Sequence, residues 1–367
     1  MRIAQVTHLF PPATGGIEKH VYEICRQLVK SGDNVTVFTT SFGNAPKEET
    51  MEGFEVRRFF SLNLPVFSSV RFPPMLFFSL LRENFDVYCS HGYGSLMPFI
   101  TSIAALIKRK PFVFTVHGYP RLKGLSGIFQ KLYGIFFASI YLRIAKRIIV
   151  VSQNSIADIS KEVDARKLVY IPNGISADEF SCDTFRGRNT ITYVGRLDEY
   201  KGVNVLIRAF ARIHATNPEL KLRIVGRDEG IKKGLEALAD EQKVKVEFLD
   251  LPYSEMKRIY CESLAVVLPS RYEGFSLVWL EAIASKRPMF STPVGDASIL
   301  FDDVYGKHAE KFLFENEKEL AERVIFFYQN QDSFEKIISS AERLCKEKYS
   351  WANVATRTRK IYASSTA

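Results

Sequence analysis

Glu273-Gly274-Phe275-Ser276-Leu277-Val278-Trp279-Leu280-Glu281 sets two carboxylates eight residues apart on either side of a helix start. Eight residues is slightly over two turns of α-helix, so with the helix beginning near Ser276 the second carboxylate falls on its second turn. The backbone N–H groups of Gly274, Phe275, Ser276 and Leu277 then stand at a helix N-terminus, unpaired within the helix and suited to an anion such as phosphate. The two carboxylates accept hydrogen bonds from sugar hydroxyls. A phosphate with a polyol on each side is the shape of a nucleotide sugar. An ordinary turn before an apolar helix has the same composition, so the reading needs a second element.

Upstream, Tyr193-Val194-Gly195-Arg196-Leu197-Asp198-Glu199-Tyr200-Lys201-Gly202 follows the β-branched run Thr190-Ile191-Thr192 and precedes helical spacing at Val205, Leu206, Ala209, Phe210 and Ile213. Arg196 and Lys201 therefore leave the C-terminal edge of a strand and enter a strand-to-helix loop, where open parallel sheets bind ligands. Two cations there fit a diphosphate, the arginine as a bidentate fork and the lysine as a point charge.

Strand and helix alternate along the whole chain, the mark of α/β sheets. Apolar runs at 2–8, 34–40, 85–90, 111–116 and 146–151 predict parallel strands of a first sheet, and runs at 190–195, 221–225, 244–249, 264–268 and 288–291 those of a second. At 367 residues the chain exceeds the size at which one core stops growing, so two domains are expected. Asn173-Gly174 and the polar stretch Asp178 to Arg188 form the linker candidate. Gly15-Gly16, after the first strand, is either a tight turn or a place where backbone approaches a ligand that a Cβ would repel. It is not a Gly-x-Gly-x-x-Gly fingerprint, which counts against a dinucleotide-dependent dehydrogenase. His117 ends the strand Phe112-Val113-Phe114-Thr115-Val116, and His8 and His91 end others.

The chain resembles the retaining glycosyltransferases of GT-B fold, family 4 (glycosyl transferases group 1). The resemblance runs from Ile3 to about Tyr362. It rests on Phe10-Pro11-Pro12-Ala13-Thr14-Gly15-Gly16-Ile17-Glu18, Thr115-Val116-His117-Gly118, Ile171-Pro172-Asn173-Gly174-Ile175, the Gly195-Arg196-Leu197 to Lys201-Gly202 loop, Leu268-Pro269-Ser270 and the Glu273 to Glu281 segment, six pieces in order. It implies two Rossmann-like, doubly wound parallel-sheet domains facing each other across a cleft: 1–178 plus 350–367 for the acceptor, and 188–349 for the nucleotide-sugar donor. The last helix, from Ser350-Trp351, would cross back to the first domain.

The resemblance also implies roles. Arg196, Lys201 and the amides beside Glu273 stabilise the leaving diphosphate; Glu273 accepts from sugar hydroxyls and Glu281 from the ribose; Gly15 and Gly16 face the donor phosphate or the acceptor; His117 contacts the transferred sugar. Attack comes from the same face, with the leaving phosphate taking the acceptor's proton, and the product keeps its anomeric configuration. No Asp-x-Asp occurs in the chain, so neither a metal nor another cofactor is expected. Uridine- or guanosine-type donors are expected. Departures at Phe248-Leu249-Asp250 and Gly226-Arg227-Asp228-Glu229 leave the base open, and Asp296, after Thr292-Pro293-Val294-Gly295 where the family has a second glycine, leaves that loop's contacts open. A sugar phosphorylase or synthase, a nucleotide-sugar epimerase and a non-catalytic nucleotide-sugar-binding protein remain as rivals.

Charge bears on the acceptor. Residues 1–180 carry 21 basic and 14 acidic side chains; from Arg57 to Arg147 there are 13 Lys or Arg against Glu83 and Asp86 alone. That window holds 18 aromatic residues, among them Phe72, Phe77, Phe78, Phe129, Phe136 and Phe137. A basic, aromatic-rich surface suits an anionic membrane face and a glycan or lipid-linked acceptor. The same residues also suit a core with solvated bases around it. The most apolar segment, Leu125 to Val151, is broken by Lys131, Arg143, Lys146 and Arg147 and predicts no membrane-spanning helix. No nucleic-acid reader motif is present. Five cysteines without a Cys-x-x-Cys pair read as buried thiols, and with no secretory leader in view the expectation is a cytoplasmic protein, peripheral at the membrane.

Overall fold

The computed structural model describes residues 1–63, 71–118, 132–176, 178–184, 186 and 188–366. Phe129 and Lys131 lie outside the described residues, as do Phe185 and Gly187 of the linker candidate. The chain divides into two compact units, Met1–Asn173 with Trp351–Ala367, and Gly174–Ser350.

The first unit carries an eight-stranded sheet in the order β10-β9-β8-β7-β1-β2-β4-β3. Its strands are β1 (Arg2–Val6), β2 (Asn34–Thr40), β3 (Glu48–Met51), β4 (Phe54–Phe59), β7 (Val87–His91), β8 (Phe112–Val116), β9 (Arg147–Val150) and β10 (Leu168–Tyr170), while β5 (Leu62–Asn63) and β6 (Arg71–Phe72) form a separate pair. All pairs in the large sheet are parallel except β3 with β4. β7 and β8 are buried throughout, as strands covered by helices on both faces must be. The β3–β4 hairpin is absent from the sequence-based expectation because it lies at the sheet edge, where burial alternates and Glu48, Glu49, Glu55, Arg57 and Arg58 break up the apolar run. Its turn, Glu52-Gly53, holds both residues at positive φ, 47° and 87°, the requirement of a type I′ hairpin.

The helix Gly16–Lys30 buries Val21, Ile24, Cys25 and Leu28 along one face. The helix Trp351–Thr366 packs on it and buries Trp351, Val354, Ala355 and Tyr362, so the last helix belongs to the first unit.

The second unit carries a five-stranded parallel sheet, β13-β12-β11-β14-β15, built from β11 (Thr190–Val194), β12 (Lys221–Val225), β13 (Val246–Leu249), β14 (Ser263–Leu268) and β15 (Met289–Ser291). Helices on both sides bury one continuous core around Phe210, Trp279, Phe290 and Phe301.

One expectation needs correction. Cys182 and Cys261 are joined by a disulfide across 79 residues, so five free thiols is wrong; Cys25, Cys89 and Cys345 are free and buried. Sequence spacing gave no hint of the pair, because Cys182 sits on the segment entering the second unit and Cys261 on the helix Met256–Glu262.

Candidate functional site

In the second unit, β11 ends at Val194 and the chain turns through Gly195 to Gly202 before the helix Val203–Thr216. Gly202 has φ 63°, and a Cβ there would lie 2.1 Å from the Pro269 carbonyl oxygen, so only glycine lets this loop lie against the loop after β14. The Arg271 N–H donates to the Tyr200 carbonyl at 2.7 Å and ties the two loops.

That contact brings Lys201 to Glu273. Lys201 Nζ donates to Glu273 Oε1 at 2.6 Å, and Ser270 Oγ donates to the same oxygen at 2.7 Å. Ser270 is held in turn by Thr292 Oγ1, which donates to its carbonyl at 2.5 Å. Gly295, at φ 57°, rests its α-carbon against the Glu273-Gly274 backbone; a Cβ would lie 2.5 Å from the Glu273 carbonyl oxygen. The Asp296 N–H donates to the Gly274 carbonyl at 3.1 Å. This is the role of the loop whose contacts the sequence left open.

Ser276 is the N-cap of the helix Leu277–Ala284, where the sequence put the helix start. Its side chain makes no capping bond, Phe275 is buried beside Trp279 and Tyr349, and Gly274, Ser276 and Leu277 are partly exposed. Lys201, Ser270, Glu273 and this N-terminus thus form one polar corner. Arg196 stands apart: its side chain is 66% exposed and pairs with Asp198 at 3.2 Å.

Glu281, on the second turn, is 4% exposed. Its Oε1 accepts from the Tyr253 hydroxyl at 2.8 Å and its Oε2 from the Tyr260 hydroxyl at 2.7 Å. Neither tyrosine was singled out from sequence. Burial, together with the Glu281 carboxylate, raises the Tyr260 hydroxyl well above its ordinary pKa, so it stays a donor.

In the first unit, His20, His91 and His117 gather at the carboxyl end of the sheet. His91 Nε2 bonds Gln5 Oε1 at 2.7 Å, His91 Nδ1 meets His117 Nε2 at 3.2 Å, and His20 Nδ1 meets Asn173 Oδ1 at 2.9 Å. Gln5 Nε2 donates to the Tyr362 hydroxyl at 3.1 Å. Burial lowers the pKa of His20 to about 4, the bond to Asn173 opposing it; burial and then the neighbouring rings push His91 and His117 well below the ordinary range. All three rings are therefore neutral at pH 7. Their nitrogens lie within 4.8 Å of one another, a spacing a metal ion can bridge, but His91 has both nitrogens committed to hydrogen bonds. His8 is partly exposed; its carbonyl accepts from Thr40 Oγ1 at 2.7 Å.

Gly15 is extended and begins the helix Gly16–Lys30 as its N-cap. The Glu18 carboxylate lies over it: a Cβ on Gly15 would be 2.3 Å from Glu18 Oε2. Burial raises the Glu18 carboxyl above its usual range, opposed by a bond from its own backbone N–H. One amide of this N-terminus is thus taken by an internal carboxylate, which competes with any phosphate at Gly15 and Gly16.

A model of glycosyltransferase family 4 matches residues 14–179, and one of glycosyl transferases group 1 matches 176–344, so the two meet end to end across both units. The chain belongs to the family 4 glycosyltransferases. This glycosyltransferase is 28% identical to an uncharacterized glycosyltransferase of Methanocaldococcus jannaschii, over 99% of this chain and 98% of the other. It is 25% identical to the phosphatidylinositol N-acetylglucosaminyltransferase gpi3 subunit of Schizosaccharomyces pombe, over 98% and 80%. Sucrose-phosphate synthase of Thermosynechococcus elongatus superposes with a TM-score of 0.78 at 19% identity, covering 99% of this chain and 98% of that one. Anabaena HepE in complex with UDP-glucose gives 0.74 at 19%, covering 99% and 100%. At these identities the solved structures establish the GT-B fold alone.

Proposed function

We propose that this glycosyltransferase moves a hexose-type sugar, with retention, from a uridine- or guanosine-diphosphate sugar to a lipid-linked or glycan acceptor. The carrying observation is the polar corner of the second unit, where Lys201 and Ser270 converge on Glu273 at the start of the helix Leu277–Ala284. A diphosphate fits the lysine charge and the helix amides, and a sugar hydroxyl fits the carboxylate.

As the anomeric bond breaks, negative charge grows on the diphosphate, and groups fixed in advance for it lower the barrier. Arg196 joins them when it leaves Asp198. A carboxylate accepts at both oxygens, and Glu281 accepts from the ribose. His117 meets the transferred sugar, and Gly15 and Gly16 serve the acceptor side. Leaving-group charge is met by Lys201, Arg196 and amides, so the reading requires no divalent metal.

UDP-glucose in the HepE structure supports a uridine donor, and the phosphatidylinositol acceptor named for the fission-yeast relative supports a lipid one. The first unit's basic balance and its exposed Phe72, Phe78 and Phe136 support a peripheral protein at the cytoplasmic membrane face, where anionic lipids concentrate. Phe77 and Phe137 pack partly against the core instead. Among the described residues no helix is long and apolar enough to cross a membrane.

Thermal stabilisation by nucleoside diphosphates and their sugars, with and without EDTA, tests the donor half. A shift with one base that survives EDTA is expected; no shift with any nucleotide refutes the donor corner.

A further inference from the structure

Three short basic runs stand directly before three consecutive strands: Lys108-Arg109-Lys110 before β8, Lys146-Arg147 at the start of β9, and Arg166-Lys167 before β10. Stretches of 35 and 18 residues separate successive runs in sequence, yet β8, β9 and β10 are parallel neighbours. Each connection must therefore bring the chain back to the same sheet edge, and the three runs meet there. All of these residues but Lys108 line a groove of about 850 Å³ together with Pro111, Phe112, Ile144 and Ala145. This edge is opposite the one that carries His91 and His117, so the groove belongs to no part of the site described above.

Six cations line it against one carboxylate, Asp164, which is already held by the Arg166 guanidinium at 2.6 Å. Helix capping explains two of the six: Lys146 Nζ donates to the Ser365 carbonyl at 2.8 Å and Lys167 Nζ to the Arg143 carbonyl at 2.7 Å. Arg109, Lys110 and Arg147 have no carboxylate partner among the described residues.

Beside them Leu106, which lines the groove, and Ile107 are each 57% exposed at the end of the helix Met97–Ile107. That helix packs against the helices Pro74–Arg82 and Ser139–Ile144, which expose Met75, Phe78 and Ile140. Cations next to projecting aliphatic side chains match a bilayer, with phosphates for the bases and an acyl boundary for the leucine and isoleucine. A nucleic-acid strand has no use for the aliphatic pair.

We propose that this groove and the adjoining aliphatic residues are the surface by which the first unit docks on an anionic lipid bilayer. The proposal rests on the membrane-peripheral part of the functional reading and not on the donor corner. The test is co-sedimentation with phosphatidylcholine vesicles with and without phosphatidylserine. The charge variant is Arg109→Asn/Lys110→Gln/Arg147→Gln, with asparagine at 109 because that residue has φ 53°. The aliphatic variant is Leu106→Ser/Ile107→Ser.

The wild type should partition onto phosphatidylserine vesicles and not onto neutral ones. Both variants should lose at least tenfold in partitioning while keeping thermal stabilisation by UDP. A charge variant that still binds anionic vesicles like the wild type overturns this surface and leaves membrane binding intact. A wild type that ignores anionic vesicles, or that binds single-stranded DNA instead, overturns both. Nucleotide-induced stabilisation reports on the donor corner separately in every case.

Discussion

Lys201 Nζ lies 2.6 Å from Glu273 Oε1, so the two charged groups assigned to the diphosphate and to the sugar of the donor are each other's partners before any donor arrives. Their side chains are 18% and 10% exposed, which leaves the lysine little water to trade for. In the proposed function a diphosphate entering the corner would take over the lysine, and Ser270 would continue to hold the carboxylate. Lys201→Ala should lower kcat by about 10²-fold or more, the usual cost of removing one fixed donor aimed at developing charge. Glu273→Gln should preserve nucleotide binding and lose turnover. Nucleotide affinity and kcat measured on both variants decide the matter, and unchanged kinetics in both would sink the site.

Glu281 is a buried carboxylate fed by two tyrosine hydroxyls. Tyr260→Phe removes one donor and leaves the carboxylate in place, so it should raise the KM for the nucleotide sugar several-fold with little change in kcat. Glu281→Ala strands the buried Tyr260 hydroxyl and should cost roughly 1–3 kcal/mol in stability as well. Urea unfolding beside steady-state kinetics separates the two effects. Equal KM in wild type and Glu281→Gln would remove the ribose role.

The chain of bonds behind His117 has a direction. The Tyr362 hydroxyl bonds the Cys89 sulfur and accepts from Gln5, whose carbonyl oxygen accepts from His91 Nε2–H. His91 Nδ1 is then an acceptor, so His117 donates through Nε2 and keeps an unprotonated Nδ1. Nitrogen-15 spectra of histidine-labelled protein should show His117 as the Nε2–H tautomer. Tyr362→Phe lets the Gln5 amide turn over and should mix the tautomers, with kcat down about tenfold, short of the roughly 10⁴-fold loss when a catalytic histidine is held in the wrong tautomer. A pure Nδ1–H tautomer in the wild type would overturn the direction.

Neutral histidines, His20 and His91 buried and His117 partly so, make the first unit sensitive to acid. The unfolded chain binds protons near the ordinary value of about 6.5, and the folded rings do not. Stability is therefore fully present above that pH and is lost as pH falls toward the folded values, about 4 for His20 and lower still for the other two. Each ring contributes up to about 1.4 kcal/mol per pH unit. Denaturation midpoints should be flat from pH 8 to 7 and should fall steeply from pH 6 to 5. A flat profile through pH 5 would show that the rings are charged or exposed.

Strands buried on both faces were legible because burial turns them into unbroken apolar runs, as in Ser263–Leu268. β3 and β4 were not, because a strand with one solvated face reads as mixed charge, and only the Glu52-Gly53 turn betrays them. In the site, Lys201 and Glu273 could be found because each sits in a local motif. The residues behind His117 and Glu281 could not. Gln5 and Tyr362 are 357 positions apart, and Tyr253 and Tyr260 act through contacts that leave no periodic trace.

The Cys182–Cys261 bond carries the last prediction. The segment it anchors is also held by the buried Arg287, which donates to the Thr184 carbonyl at 2.8 Å and to the Cys261 carbonyl at 3.1 Å, and whose pKa burial lowers to about 10. Thiol titration of the denatured, unreduced protein should find three groups, rising to five after reduction. Closing a loop of that length removes unfolded-state entropy worth about 4.5 kcal/mol in the chain-entropy model, so reductant should lower the melting temperature. Because Arg287 keeps its two carbonyl bonds, the reduced protein should still fold and still be stabilised by nucleotide. Five titratable thiols without reductant would restore the free-thiol reading and remove this staple from the account of the second unit.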